Sequence, residues 1–245
     1  MRERHVDPFI CEKALKTWIP CEAECGVFVE DPQIIDAMQE QDDSQHARPE
    51  QLQQRLVEGS EHETVRDGRV VVWTDGAGRR NQDRRLRRAG VGVFYAADHS
   101  KNISVPLAGR EQTNNRAELM AIILAIEGEA RPLWIRSDSA YCVDGCQALR
   151  AKGLRRRRDN FDLWERLQKS MSTSDCRITK VKGHAKSAEV AAGRVLEEDK
   201  FGNDGADALA VSGAKARPLP PGVATRAFER KELARATHRV MLAIL

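Results

Sequence analysis

The sequence has few cysteines and none of the long apolar runs that cross membranes. Six cysteines in 245 residues are too few and too scattered for a disulfide scaffold. No stretch approaches the roughly 18 consecutive apolar residues of a membrane span. The N-terminus leads into no sustained apolar segment of the kind a secretory signal has. We therefore expect a reducing intracellular compartment, nucleus or cytoplasm, and no membrane partner.

The sequence also has few aromatic residues and a small net charge. Aromatics make up 5% of the chain and charged residues 31%, which is typical of a modest core under a heavily solvated surface. The net charge of +3 hides an uneven distribution, because residues 30–67 are mostly acidic whereas 79–88 and 152–158 are strongly basic. Basic patches attract polyanions, although a basic block is often only a solvated loop.

Both ends of the chain differ from its middle. Residues 1–67 mix short apolar clusters with prolines and acids, which indicates a partly irregular flanking segment. Its His5, Cys11, Cys21 and Cys25 could be imagined as metal ligands, but their spacing fits no standard zinc pattern. Residues 215–245 are expected to form a proline-rich linker and a C-terminal helix. The domain of interest is therefore predicted at 68–214.

The middle of the chain predicts an α/β fold. Three short strands, near residues 70–74, 90–95 and 103–106, are spaced as an antiparallel meander. Two further strands, at 133–137 and 176–181, alternate with helices as in a parallel sheet. We predict a helix from about residue 114 to 127 and another that begins at Gly202–Asn203, with Asn203 as its cap.

Four carboxylates occupy positions that could converge. Asp75 and Asp138 each end a predicted strand, while Glu118 and Asp207 fall in early turns of predicted helices. Taken singly, an Asp-Gly turn or a macrodipole effect explains such residues equally well. Four carboxylates in one crevice would repel each other unless hard divalent cations shared them, and magnesium prefers oxygen ligands. The residues alone thus indicate a metal-dependent nuclease that acts on a nucleic-acid backbone.

An ordered set of motifs then carries a resemblance to a known family. The motifs are TDG at 74–76, TNNRAEL at 113–119, SDSAY at 137–141, DLWERL at 162–167, VKGH at 181–184 and NDGADALA at 203–210. In this order they resemble type 1 ribonuclease H over about residues 68–214. The resemblance implies a five-stranded mixed sheet flanked by helices. It also implies two-metal hydrolysis of the RNA strand of RNA–DNA hybrids, leaving 5′-phosphate and 3′-hydroxyl ends.

The resemblance assigns roles to individual residues. Asp75, Glu118, Asp138 and Asp207 match the family's metal-binding carboxylates, for two Mg²⁺ ions or Mn²⁺, and Asp207 is preferred over Asp204. His184 matches a loop histidine that assists proton movement or product release near neutral pH; a loop histidine without a duty is the alternative. The positions implied to contact the hybrid are Asn81, Thr113, Asn114, Asn115, Arg116 and Lys182.

The sequence also departs from the family pattern. An arginine-rich run replaces the usual first hairpin, the basic protrusion keeps its charge at 152–158 without an aromatic, and the segment 185–202 is long. This arrangement resembles a domain of a retroelement polyprotein, with a reverse transcriptase domain as a partner. A monomer is otherwise expected. The alternatives are a non-catalytic hybrid-binding module and a structural part of a reverse transcriptase.

Overall fold

The computed structural model describes residues 63–80, 86–155 and 159–244. The chain divides into two compact units, one of Met1–Glu40 with Leu219–Leu245 and the other of Gln41–Pro218. The predicted catalytic carboxylates all belong to the second unit. The flanking segment up to residue 62, its imagined zinc ligands, Asn81 and residues 156–158 of the basic loop lie outside the described residues.

A mixed sheet forms the centre of the second unit. Its strands are β1 (Val65–Arg66), β2 (Arg69–Arg79), β3 (Arg88–Phe94), β4 (Ile103–Pro106), β5 (Leu133–Ser137) and β6 (Cys176–Lys180). The spatial order is β4-β3-β2-β5-β6, with β1 paired to the start of β2. Strands β2 to β4 are antiparallel, and β5 and β6 run parallel to β2. The predicted α/β fold with a five-stranded mixed sheet is confirmed.

The two-residue strand β1 is an addition to that prediction. Asp67 and Gly68, at φ 51° and 70°, connect it to β2. Two central residues with positive φ are typical of the tight hairpin turn that Asp-Gly favours. The register pairs Val65 with Val70, so β1 extends the sheet only beside the beginning of β2.

Helices cover both faces of the sheet. In the second unit they are α1 (Asn114–Glu127), α2 (Ala140–Lys152), α3 (Phe161–Ser172), α4 (Ser187–Ala191) and α5 (Glu197–Ala216). In the first unit the described helix is α6 (Val223–Ile244). Among the described residues, no helix combines the length and the apolar character that a membrane crossing requires.

The larger core lies between the sheet and helices α1 to α3. Val72, Ile122, Ile135 and Trp164 are completely buried there. On the opposite face, Trp73 and Phe94 pack with Ala206 of α5 in a smaller apolar cluster. Alternate residues of β2 therefore belong to different cores, as the period of a strand requires. Because both of its faces are covered, the strand that carries Asp75 is held firmly.

Helix α5 begins earlier than the sequence predicts. It starts at Glu197 with Leu196 in the cap position, and Asn203 is a buried residue inside the helix, only 2% exposed. The prediction that Asn203 caps this helix was therefore wrong. The better signal was the acidic run of 197–199 in the first turn, which interacts favourably with the helix macrodipole. As a result, Asp207 lies well inside the helix and not in an early turn.

Helix α5 can approach the sheet closely because β3 presents glycines to it. A β-carbon at Gly92 would lie 2.1 Å from the backbone oxygen of Ala206, and one at Gly90 would lie 2.0 Å from the backbone nitrogen of Ala214. Both atoms belong to the backbone of α5, and a single backbone atom of a helix cannot shift without moving the rest of the helix. These glycines therefore set the distance between the sheet and the helix that carries Asp207.

We expect Gly92→Ala to lower the free energy of unfolding by about 1–3 kcal/mol, because the added methyl group forces α5 away from β3. Urea denaturation of the full chain measures this. Ala208→Ser is the control, since Ala208 is exposed on the same helix and its substitution should change stability by less than about 0.5 kcal/mol. Equal stability of the wild type and Gly92→Ala would mean that the helix is free to adjust.

Candidate active site

Strand register brings the first two carboxylates together. In the parallel pair of β2 and β5, Thr74 lies opposite Ser137. Asp75 and Asp138 are the next residues along each chain, so they lie side by side where β5 ends. The prediction that Asp75 ends its strand was wrong, because β2 continues to Arg79 in its pairing with β3. The carboxyl end of β5, which Asp138 follows, is the edge at which open α/β sheets bind ligands.

Helix α1 adds the third carboxylate, Glu118. A β-carbon at Gly76 would lie 2.3 Å from the backbone nitrogen of Glu118, so the helix rests directly on β2 beside Asp75. Asp75, Glu118 and Asp138 each offer one carboxylate oxygen, and these oxygens lie within 4.8 Å of one another. The sequence placed Glu118 in the first turn of the helix. The first turn contains no acid, because α1 begins at Asn114, and Glu118 falls one turn later.

Asp207 approaches the cluster from helix α5. Its charge contributes to the raised pKa of Asp75, so the two carboxylates are near enough to interact. Asp207 is partly exposed, and it is outside the group of three whose oxygens lie within 4.8 Å. Asp204, the alternative in the sequence, is exposed and forms an ion pair with Lys200.

The electrostatics of the cluster favour a cation. Burial raises the pKa of Asp75 from 3.8 to about 8, and the charges of Asp138, Asp207 and Glu118 add to the effect. Burial likewise raises the pKa of Glu118, and the charge of Asp138 adds to this. Buried carboxylates that repel each other are stabilised when a divalent ion shares them. An all-carboxylate set of oxygen donors suits hard ions such as magnesium or manganese.

Hydrogen bonds from neutral side chains hold Glu118 in place. Asn114, one turn earlier on α1, donates from Nδ2 to Glu118 Oε1 at 2.6 Å. The hydroxyl of Ser139 also bonds this carboxylate. Ser139 is the cap of α2, where it accepts from the backbone nitrogen of Cys142 at 3.3 Å.

His184 lies in a turn that passes over Asp138. The turn follows β6 and is anchored where the backbone nitrogen of Val181 donates to the Ser137 oxygen at 3.0 Å. A β-carbon at Gly183 would lie 2.1 Å from Oδ2 of Asp138, so the backbone at this position touches the carboxylate. His184 is exposed and adopts φ 48°, a conformation uncommon outside glycine.

The residues expected to contact substrate are distributed around this cluster. Thr113 caps α1 through a hydrogen bond from the Arg116 backbone nitrogen, and Asn115 is exposed beside Asn114. Arg116 forms an ion pair with Asp162 at the start of α3. Lys182 forms one with Glu189 of α4. Contact of these residues with a nucleic acid stays a prediction.

A mixed sheet flanked by helices, with a carboxylate cluster beside the end of β5, defines an α/β domain of the ribonuclease H type. Residues 67–215 match the family model described as RNase H. The chain therefore belongs to the ribonuclease H family, as the sequence motifs predict.

Named relatives support this membership. Ribonuclease H of Schizosaccharomyces pombe is 40% identical over 156 residues, which covers 60% of this chain and 53% of that protein. Ribonuclease H1 of Homo sapiens is 33% identical over 161 residues, covering 60% of this chain and 50% of the relative. The chain thus spans about half the length of these two relatives. Among solved structures, the native protease–reverse transcriptase of prototype foamy virus matches 65% of this chain and 23% of its own, with 22% identity and a TM-score of 0.49.

Proposed function

We propose that this protein is a metal-dependent endoribonuclease that hydrolyses the RNA strand of RNA–DNA hybrids, with 5′-phosphate and 3′-hydroxyl ends as products. The observation that carries the proposal is the cluster of Asp75, Glu118 and Asp138 within a chain of the ribonuclease H family. A buried set of mutually repelling carboxylates is unfavourable without a cation, so it is best explained as a metal site.

Asp75, Glu118, Asp138 and Asp207 would hold the metal. Two magnesium ions bound there would supply an activated water and would stabilise the leaving oxygen of a phosphodiester. Asn114 and Ser139 orient Glu118 by their hydrogen bonds, so the site is shaped before any ion arrives.

Recognition of the hybrid would use the start of helix α1. Asn114 and Asn115 are both exposed there, next to the carboxylate cluster. Amide side chains can hydrogen-bond to 2′-hydroxyl groups across a minor groove, which distinguishes RNA from DNA. The basic residues around the cleft would contact phosphates, which strengthens binding without selecting a sequence.

The test is cleavage of end-labelled duplexes by the full chain. We expect the RNA strand of an RNA–DNA hybrid to be cut in magnesium and left intact in EDTA, while duplex DNA and duplex RNA resist. Analysis of the fragment ends reports their 5′-phosphate and 3′-hydroxyl groups. The Asp138→Asn variant, purified in parallel, controls for contaminating nucleases.

Other outcomes would overturn the proposal in different ways. Hybrid binding without cleavage, in either magnesium or manganese, would favour the non-catalytic hybrid-binding module. Cleavage of all duplexes alike would indicate a nuclease without selectivity for hybrids. Cleavage that persists in Asp138→Asn would place the reaction outside the carboxylate cluster.

A further inference from the structure

The turn that carries His184 is closed by a single side chain from the long segment that follows it. Glu189 of α4 accepts a hydrogen bond from the backbone nitrogen of Lys186 at 3.0 Å. Its other carboxylate oxygen pairs with Nζ of Lys182. Lys182 and Lys186 lie two residues before and two residues after His184. One carboxylate therefore joins both ends of the five-residue turn.

The remaining contacts of the turn fix its position relative to the metal site. Gly183 lies against the carboxylate of Asp138, and Ala185 is buried, so both neighbours of His184 face inward. His184 itself is exposed at φ 48°. A side chain in that backbone conformation persists only where surrounding contacts enforce it. The hydrogen bonds of Glu189 are the contacts that span the turn.

The short helix α4 fixes the backbone of Glu189. Its backbone nitrogen donates to the Lys186 oxygen at 2.8 Å, and its backbone oxygen accepts from Arg194 at 2.9 Å. The bond from the Lys186 nitrogen to the Glu189 carboxylate is the reach-back half of a capping box. The side chain thus starts from a fixed backbone and reaches back across the turn.

We infer that Glu189 is a positioning residue that holds the 182–186 turn so that His184 is presented to the carboxylate cluster. This inference rests on the proposed function, because its kinetic consequence requires hybrid cleavage. Glu189 has no role in holding the metal ions, and its effect on the reaction passes through His184.

A double-mutant cycle of Glu189→Gln and His184→Ala tests the inference in the full chain. We expect Glu189→Gln to lower kcat for hybrid cleavage about fivefold to tenfold, since a misplaced catalytic group acts less efficiently. In the His184→Ala background the same substitution should change kcat less than about twofold, because residues that act as a unit are not additive. KM should stay within about twofold of the wild-type value.

Glu127→Gln is the matched control. Glu127 at the end of α1 also accepts hydrogen bonds from two side chains, Arg166 and Ser170, and it takes no part in the His184 turn. Its substitution should leave kcat and KM unchanged. If Glu189→Gln proves too unstable to assay, Lys186→Pro removes the amide donor at φ −86°, close to the value proline adopts.

Two kinetic results would overturn the inference. A lower KM with unchanged kcat would mean that Glu189 only neutralises Lys182 and competes with substrate phosphates. An equal loss of kcat in both backgrounds would mean that Glu189 acts without His184.

Amide hydrogen exchange supplies a readout that needs no activity. We expect faster exchange at residues 182–186 in Glu189→Gln than in the wild type, and unchanged exchange there in Glu127→Gln. If the wild type cleaves no hybrid, the proposed function fails, and exchange alone then decides whether Glu189 holds the turn. Glutamine loses the charge pair with Lys182 but keeps an oxygen that can accept from the Lys186 amide. Unchanged exchange in both Glu189→Gln and Lys186→Pro would therefore refute the tie.

Discussion

Replacing Asp75 with asparagine should abolish hybrid cleavage and at the same time stabilise the metal-free protein at alkaline pH. We expect cleavage to fall by more than about a thousandfold, because the central carboxylate of the cluster loses the charge that a metal ion needs. Removal of an active-site residue usually lowers activity alone. The opposite sign of the two effects makes this substitution informative.

The stabilising effect follows from the raised pKa of Asp75. Its carboxyl has a pKa of about 8 in the fold and 3.8 as an ordinary aspartate. The fold therefore favours the protonated form, and this contribution to stability is fully present below about pH 4 and is lost as the pH rises through about 8. Asparagine resembles the protonated form, and its side-chain oxygen can still accept the 2.7 Å hydrogen bond from the Gly76 nitrogen.

Urea denaturation in EDTA at pH 5 and pH 9 measures the effect. The gain in unfolding free energy should be small at pH 5 and should reach about 1–3 kcal/mol at pH 9. Saturating magnesium should raise the stability of the wild type more than that of Asp75→Asn, since only the wild type keeps the full set of ligands. Asp204→Asn, an exposed acid paired with Lys200, should show none of these changes. Destabilisation of Asp75→Asn at pH 9 would mean that the carboxylates do not repel each other in the fold.

The second large effect concerns a buried ion pair that joins α5 to the sheet. Nη1 of Arg136, on β5, lies 2.7 Å from both carboxylate oxygens of Asp199, and both side chains are about nine-tenths buried. Trp73 Nε1 donates to the same carboxylate at 3.3 Å, and the Arg136 guanidinium also lies 4.4 Å from the ring centre of Trp134. We expect Asp199→Ala to lower the free energy of unfolding by about 3–5 kcal/mol, because it leaves the arginine charge buried without its partner.

Two further variants separate this cause from others. The double variant Arg136→Met with Asp199→Leu should recover most of the lost stability, since apolar residues of similar volume can replace a buried pair. Glu198→Gln is the control, because Glu198 belongs to the same helical turn but its pair with Arg66 is exposed and should contribute less than about 1 kcal/mol. A loss below about 1 kcal/mol in Asp199→Ala, measured in urea, would show that water reaches Arg136.

Much of this architecture could be predicted from the sequence because the strong signals were local. The apolar run before Asp75, the helix that begins at residue 114 and the strand that precedes Asp138 depend on neighbours in the chain, and each prediction is confirmed. The proximity of Asp75 and Asp138 was predicted from strands that end at one edge of a sheet, although β2 in fact continues past Asp75. Glu118 joins them because α1 packs against Gly76. The structure brings these three carboxylates together.

The parts that sequence reasoning missed depend on contacts between distant segments. Asn203 was taken for a helix cap because caps are common for asparagine, but packing of α5 on the sheet buries it, and its amide has no hydrogen-bond partner among the described residues. The ion pair between Arg116 and Asp162 joins segments that a single sequence cannot relate, and contact of Arg116 with substrate stays a prediction. The tie from Glu189 to Lys182 likewise depends on how the long loop folds back.

The backbone at His184 has a consequence for how this protein could change over time. A residue other than glycine held at φ 48° stores strain that glycine would release. Selection for thermal stability alone would thus favour glycine at position 184, whereas the role proposed for His184 in cleavage would retain the imidazole. Variants isolated for heat resistance are therefore expected to lose activity first at this position, where stability and activity make opposite demands on one residue.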